Sequence, residues 1–393
     1  MLGRLMLLPA AVVSVVVAVP FVWGDHPVTL SAVTGPAKDV ASSLGVRIGT
    51  DHPDLAGVVK VQPKPTPPPG PRVENPWRPG DVQRGIQVYW KDDGASAAVV
   101  AKRARTTVDY VVGLHANALS VSFPFYTKNR WSSRVGPRTG TPSAQRMQIL
   151  VEEARKAGLR VTLRPILDEK SLDPPVGWRG NIKPKSPSDW FNSYLAMLWP
   201  YLGLAEREGV ATVSFGTELN SMERSGYWKW LVKSARKRFS GELAYDANWD
   251  SYALRLKPPK ADVHGVDAYF PAYVDADADV KDLVTSWNRW LDKHSKGKLP
   301  DILFSEVGIG TWSGAYTKPS SFSPHGSYDP TIQPTWYEAV CRVTKDRRVG
   351  GIYFWKVDFG DGAHTKIPTE RGHLDFTGYP ASEGAIRACF DSL

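Results

Sequence analysis

From residue 82 onward the chain repeats one pattern: a short β-branched or aromatic run, a polar loop, then a stretch with apolar residues at helical spacing. Eight runs read as strands. They are GIQVYW (85–90), ALSVSFPF (118–125), RVTLRPI (160–166), ATVSFGT (211–217), LAYDAN (243–248), DVHGVDAYF (262–270), ILFSEVG (302–308) and GGIYFWKVD (350–358). Between them lie helical stretches such as SAQRMQILVEEARKAG (143–158), where Ser143 is placed to cap the first turn and Gly158 to stop the last. Residues 188–209 also carry apolar positions at helical spacing, interrupted by Pro200. Eight strands alternating with helices predict a (β/α)8 TIM barrel over residues 81–393, with a doubly wound open sheet as the alternative. The nucleotide-binding form of that open sheet is disfavoured, because no Gly-rich phosphate loop follows the first strand.

The pattern is different before residue 81. Arg4 is followed by an apolar run, 5–23, long enough to span a bilayer and long for a signal-peptide core. It reads as a signal peptide or membrane anchor, and the lack of a clear A-x-A cleavage site favours the anchor. Residues 24–80 show no sustained periodicity and end in the Pro-rich spacer VQPKPTPPPGPRVENPWRPG (61–80). The expected product is a secreted or extracytoplasmic domain, held at the membrane if the anchor is retained.

Composition adds constraints. The 42% hydrophobic content and 15 Trp among 393 residues belong to a folded, aromatic-rich protein. The net charge of +9 raises the question of nucleic acid. However, AKRAR (101–105), KSARKR (233–238) and KDRR (345–348) fall on predicted helices or their ends, without an RNA-binding signature. No nucleic-acid partner is therefore expected. The two cysteines, Cys341 and Cys389, lie outside any metal-binding pattern, so no metal site is expected from them. Export would allow one disulfide between the last two helices, and two buried thiols are the alternative. DADADVKDLVTS (275–286) begins like a calcium loop but has Val280 and Ser286 where Gly and Glu are needed, and reads as a solvated loop entering a helix. No G-x-S-x-G elbow or H-E-x-x-H occurs.

In a barrel of this kind the working residues sit at the C-terminal ends of the strands. Those ends carry Trp90, Tyr126, Arg164, Asp168, Thr217 and Glu218 in the first half, then Asn248, Trp249, Asp267, Tyr269, Glu306 and Trp355. Flat aromatic faces stack on the C–H faces of sugars, while Asp, Asn and Arg bind the hydroxyls. Glu218 and Glu306 end two apolar runs, where an ionised carboxylate is costly. Two such carboxylates can flank a glycosidic bond, one protonating the leaving oxygen and the other attacking the anomeric carbon. Arg164 or Tyr269 could hold one of them ionised. The same residues also suit a carbohydrate-binding protein with idle acids.

The segments RGIQVYW, NALSVSFPFYT, AGLRVTLRPILD, VSFGTELNSM, YDANWDSY, VHGVDAYFPA, ILFSEVGIGT and GGIYFWKVDFG resemble, in order, the strand ends of glycoside hydrolase family 113. That family lies in a clan of (β/α)8 retaining glycosidases and includes β-mannanases. The resemblance implies no cofactor and a carbohydrate substrate. It implies Glu218 as acid/base, Glu306 as nucleophile and Tyr269 as the nucleophile's hydrogen-bond donor. Asn248, Trp249 and Trp355 would belong to the sugar subsite, with Asp168 at its edge. The clan usually has Asn immediately before the acid/base, where this chain has Thr217. The sugar is therefore open between β-mannan and another β-linked envelope glycan.

Overall fold

The computed structural model describes residues 72–168, 172, 177–255, 258–295, 297–321, 326–365 and 374–393. The apolar segment 5–23 and the Pro-rich stretch up to residue 71 lie outside the described residues. The chain divides into Met1–Pro69 and Gly70–Leu393, and the second unit holds every element described below. Among the described residues no helix is long and apolar enough to cross a membrane.

All eight predicted runs form strands: β1 (Gln83–Tyr89), β2 (Ala118–Thr127), β4 (Arg160–Leu167), β5 (Thr212–Thr217), β6 (Glu242–Asn248), β7 (Val263–Asp267), β8 (Ile302–Val307) and β9 (Gly351–Asp358). Each pairs in parallel with the next, and β1 pairs with both β2 and β9. The sheet is thus a closed eight-stranded barrel, and the open-sheet alternative is excluded. A ninth strand, β3 (Val135–Gly136), is a short antiparallel partner of the end of β2. Its two residues are too few to carry a periodic signal.

The helices are α1 (Ala97–Gly113), α2 (Ala144–Lys156), α3 (Pro187–Arg207), α4 (Tyr227–Ala235), α5 (Trp249–Ala253), α6 (Val280–His294), α7 (Ile332–Arg347) and α8 (Pro380–Ser392). Ser143 caps α2, its side chain accepting from the Arg146 N–H. Asp279 caps α6 in a reciprocal pair with Asp282, which accounts for the acidic run there. Pro200 lies inside α3 without ending it. Cys341 on α7 and Cys389 on α8 form a disulfide, with Cα atoms 5.5 Å apart. It joins residues 48 apart in sequence.

Alternation along the strands divides the interior into two parts. One set of residues packs outward against the helices: Tyr245 lies 5.6 Å from Trp228 of α4, and Phe354 lies 4.8 Å from Tyr337 of α7. Each apolar side chain buried in this shell contributes roughly 1.5–3 kcal/mol, so the shell carries the stability. The other set points into the barrel and is polar: Gln87, Ser122, Arg164, Ser214, Asp246 and Asp267 are all buried. Gln87 donates to the Ser305 carbonyl at 2.6 Å and accepts from Ser122 at 2.9 Å. A polar lumen of this kind is stable only if its members satisfy one another. On β9, Tyr353 lies against β1 and donates to Gln83 at 2.5 Å; a Cβ at Gly85 would overlap its ring.

Candidate active site

The site rests on a buried charge cluster. The register of β8 against β9 shifts between Phe304 and Val307, so the consecutive residues Ser305 and Glu306 both reach the lumen. Ser305 donates to Asp267 at 2.8 Å, and Glu306 pairs with Arg164. Arg164, from β4, also donates through Nε to Asp246 at 2.8 Å and through Nη2 to both oxygens of Asp267, at 2.8 and 2.7 Å. Asp246 accepts from Ser214 at 2.8 Å as well. A Cβ at Gly265 would collide with the Asp246 carboxylate, so the residue beside it on β7 must be glycine. Burial works against the charge on Arg164, but Asp267, Glu306 and Asp246 outweigh it and raise its pKa well above the ordinary value. Burial raises the Asp267 carboxyl, with Arg164 opposing.

One guanidinium therefore compensates three buried carboxylates. Replacing Arg164 by Met is expected to destabilise the fold by about 3–5 kcal/mol, the usual cost of leaving buried charge unpaired. Chemical denaturation measures this directly, and a midpoint equal to that of the wild type would contradict it.

Above the cluster a cleft of about 610 Å³ opens at the strand ends. Glu306 and Tyr269 line it, and the Tyr269 hydroxyl donates to Glu306 Oε2 at 2.8 Å. Burial, and then the adjacent Glu306, push the Tyr269 hydroxyl well above its ordinary pKa, so it stays a proton donor. Both Glu306 oxygens are thus held by donors and its orientation is set. Glu218 follows β5 and lines the same cleft. Its φ of +53° lies in the left-handed region, where a residue with a Cβ is strained by roughly 1–3 kcal/mol. Its N–H donates to the Asp246 carbonyl at 2.9 Å, and its Oε2 accepts from Arg179 at 2.6 Å. Arg179 also donates to the Leu167 carbonyl at 3.0 Å. Its short turn is tied to the loop after Glu218 by Ser221, which donates to the Ile182 carbonyl at 2.6 Å.

The other expected residues divide between the cleft, its foundation and the core. Asp168, Asn248, Trp249 and Trp355 line the cleft, together with Tyr89. Arg164 and Asp267 do not line it; they form the buried layer that fixes Glu306. Thr217 is buried beside Glu218 and does not line the cleft. The expectation for Trp90 is corrected: it is 1% exposed and stacks on Phe359 at 4.0 Å, in the core. Adjacent residues of an extended chain face opposite ways, so Tyr89 takes the cleft and Trp90 the shell. Tyr126 lies outside the cleft too, on a neighbouring groove. Sequence reasoning missed Trp178 and Arg179, which belong to a non-periodic insertion and offered no signal beyond their residue types. It also missed Asp246, which the alternation of LAYDAN places on the lumen side.

Glu223, in the loop after Glu218, is a buried acid outside the cleft, 3.4 Å from the Tyr245 hydroxyl. Burial pushes its carboxyl up to about 7 from an ordinary 4.5, with the nearby Ser251 and Tyr245 hydroxyls opposing. Below pH 4.5 the group is protonated both folded and unfolded, and its favourable contribution is complete; that contribution is lost as pH rises through 7. Glu223→Gln is therefore expected to raise the melting temperature at pH 8 and leave it nearly unchanged at pH 4. Equal shifts at both pH values would contradict this.

The fold and site define a class: a (β/α)8 barrel with carboxylates and aromatic side chains gathered in one cleft at the strand ends, the architecture of a glycoside hydrolase. The profile of Glycoside Hydrolase Family 113 matches residues 88–369, and the chain belongs to that family. A solved GH113 β-1,4-mannanase is 20% identical, with a TM-score of 0.67, over 80% of this chain and 100% of that one. The GH113 β-mannanase AaManA from Alicyclobacillus acidocaldarius, solved in complex with ManMIm, is 20% identical with a TM-score of 0.61, over 79% of this chain and 97% of its own. A search of curated protein sequences finds no match.

Proposed function

We propose that the protein is a retaining β-glycoside hydrolase acting on a β-mannan-type or related β-linked glycan. In this reading Glu306 attacks the anomeric carbon, and Glu218 first protonates the leaving oxygen and then deprotonates the incoming water. The observation that carries it is the state of Glu306, whose two oxygens accept from Arg164 and Tyr269 on the wall of a cleft that Glu218 also lines. A nucleophile needs a carboxylate fixed in place, and these two donors set its orientation. Trp249 and Trp355 would stack on sugar rings, while Asn248 and Asp168 would bind hydroxyls. The β-mannanase relatives support the choice of sugar.

The same reading places the domain outside the cytoplasm, delivered or tethered by residues 5–23. The Cys341–Cys389 disulfide supports it, because such bonds persist in oxidising compartments. Hydrolysis of β-1,4-mannooligosaccharides followed by proton NMR tests the stereochemistry. The β-anomer is expected first, with the α-anomer growing in by mutarotation. An α-anomer formed first would overturn the retaining mechanism.

A further inference from the structure

Beside the cleft runs a second groove of about 510 Å³, built on the end of β2 and on β3. Tyr126, Lys128, Ser132, Arg134 and Arg138 line it. The loop between the two strands is fixed by its own hydrogen bonds: Asn129 Oδ1 accepts from the Trp131 N–H at 3.0 Å and from Ser132 at 3.2 Å. Thr127 closes it by donating to the Arg134 carbonyl at 3.0 Å. A second segment docks alongside. Lys183 N–H donates to the Arg130 carbonyl at 2.7 Å, Lys185 N–H to the Trp131 carbonyl at 3.1 Å, and Ser186 N–H to Ser133 at 2.7 Å. These contacts gather Lys128, Arg130, Arg134, Arg138, Lys183 and Lys185 into one region of the barrel mouth.

Basic residues predominate there, bordered by Asp92, whose N–H donates to the Gly140 carbonyl at 2.8 Å, by Asp168 and by Asp189. Residues 126–140 and 177–188 contain no Asp or Glu. Among the described residues none of the six cations takes part in an ion pair, although basic residues elsewhere are paired repeatedly. Cations gathered on one surface without a bonded carboxylate attract anions. Two of the guanidinium groups are also seated on rings, Arg130 over Trp131 at 4.1 Å and Arg138 over Tyr126 at 5.8 Å. An arginine near a ring can still offer its fork to carboxylate or phosphate oxygens. Tyr126 links the groove to the cleft, for its hydroxyl feels both Arg138 and Asp168, and Asp168 lines the cleft.

We propose that this basic groove extends the glycan cleft and binds acidic groups carried on the substrate chain, so that the polymer substrate is an anionic β-linked polysaccharide. The proposal rests on the glycosidase reading and names the class of polymer that reading leaves open. The anion is a carboxylate or a phosphate, since an arginine fork accepts either. At low salt the interaction is strong and long-ranged, and it weakens as the Debye length shrinks.

The test is affinity electrophoresis of the full chain carrying Glu306→Gln, which binds without turnover, in gels containing one polymer at a time. The probes are neutral β-1,4-mannan, the same mannan carboxymethylated, the same mannan phosphorylated, and duplex DNA. A second protein carries in addition Lys128→Gln, Arg134→Gln and Arg138→Gln. At about 50 mM salt, at least one acidic mannan is expected to bind ten-fold or more tighter than neutral mannan and tighter than DNA. The triple change is expected to remove that gain while leaving neutral mannan binding as it was. The derivative bound more tightly identifies the anion. Equal binding of neutral and acidic mannans, an unaltered triple variant, or DNA bound as tightly as the acidic mannans would each overturn the proposal. Because binding is read without turnover, failure of the hydrolytic reading appears separately, as the absence of retained-anomer product from the wild-type protein.

Discussion

Glu306→Gln is expected to lower glycoside hydrolysis by roughly three orders of magnitude or more, because it removes the atom that forms the covalent intermediate. Folding should survive. Gln is nearly isosteric, and Arg164 keeps Asp246 and Asp267 as partners at 2.7–2.8 Å. Loss of activity through unfolding is therefore separable from loss of chemistry, and a thermal melt beside the rate measurement separates them. A variant that melts like the wild type and still turns over would remove Glu306 from the mechanism. The contrast with Arg164→Met is informative. One change removes a charge from a cluster with an excess of carboxylates, while the other removes the guanidinium bonded to all three.

Glu218→Ala is expected to show a different signature, one that depends on the leaving group. Hydrolysis of unactivated oligosaccharides should fall about 10²–10⁴-fold, the range for loss of a general acid. With a dinitrophenyl glycoside the first step needs no proton, so the intermediate should form and then persist, because no base activates water. A burst of dinitrophenolate followed by a slow steady state is the expected trace. Equal losses on both substrates, without a burst, would assign Glu218 a role in binding or structure. Its position argues otherwise: the strained backbone at φ +53° is held by the Asp246 carbonyl and Arg179, and strain of this kind is kept where a side chain must be aimed.

Much of this architecture was legible from the chain itself, for a physical reason. In a parallel barrel both faces of each strand are buried, so strands read as short apolar or aromatic runs with abrupt polar ends. Those ends are where the cleft forms, which is why Glu218, Asn248, Tyr269, Glu306 and Trp355 could be named from position alone. Orientation was less legible. Trp90 and Tyr89 are equally aromatic neighbours, and only the alternation set by Gln87 inside and Val88 outside decides which one meets the cleft. The shift that turns both Ser305 and Glu306 inward breaks that alternation and leaves no mark in residue type. Arg179 lies further still from sequence reasoning. Its segment has no period, and its meeting with Glu218 depends on how residues 177–186 pack against the loop after β5. The disulfide pairing is a case of the opposite kind: with two cysteines only one intramolecular bond is possible, and the structure had only to decide whether it forms.

The most direct test of the account is mass spectrometry of the protein after incubation with a 2-deoxy-2-fluoro-β-mannosyl fluoride. The fluorine at C2 slows breakdown of a covalent glycosyl-enzyme more than its formation, so the intermediate should accumulate. The account predicts one added fluorosugar, mapped by peptide fragmentation to Glu306 and absent from Glu306→Gln. An adduct on another carboxylate, or a protein that hydrolyses β-mannooligosaccharides yet never gains the label, would contradict the assignment of Glu306 as nucleophile.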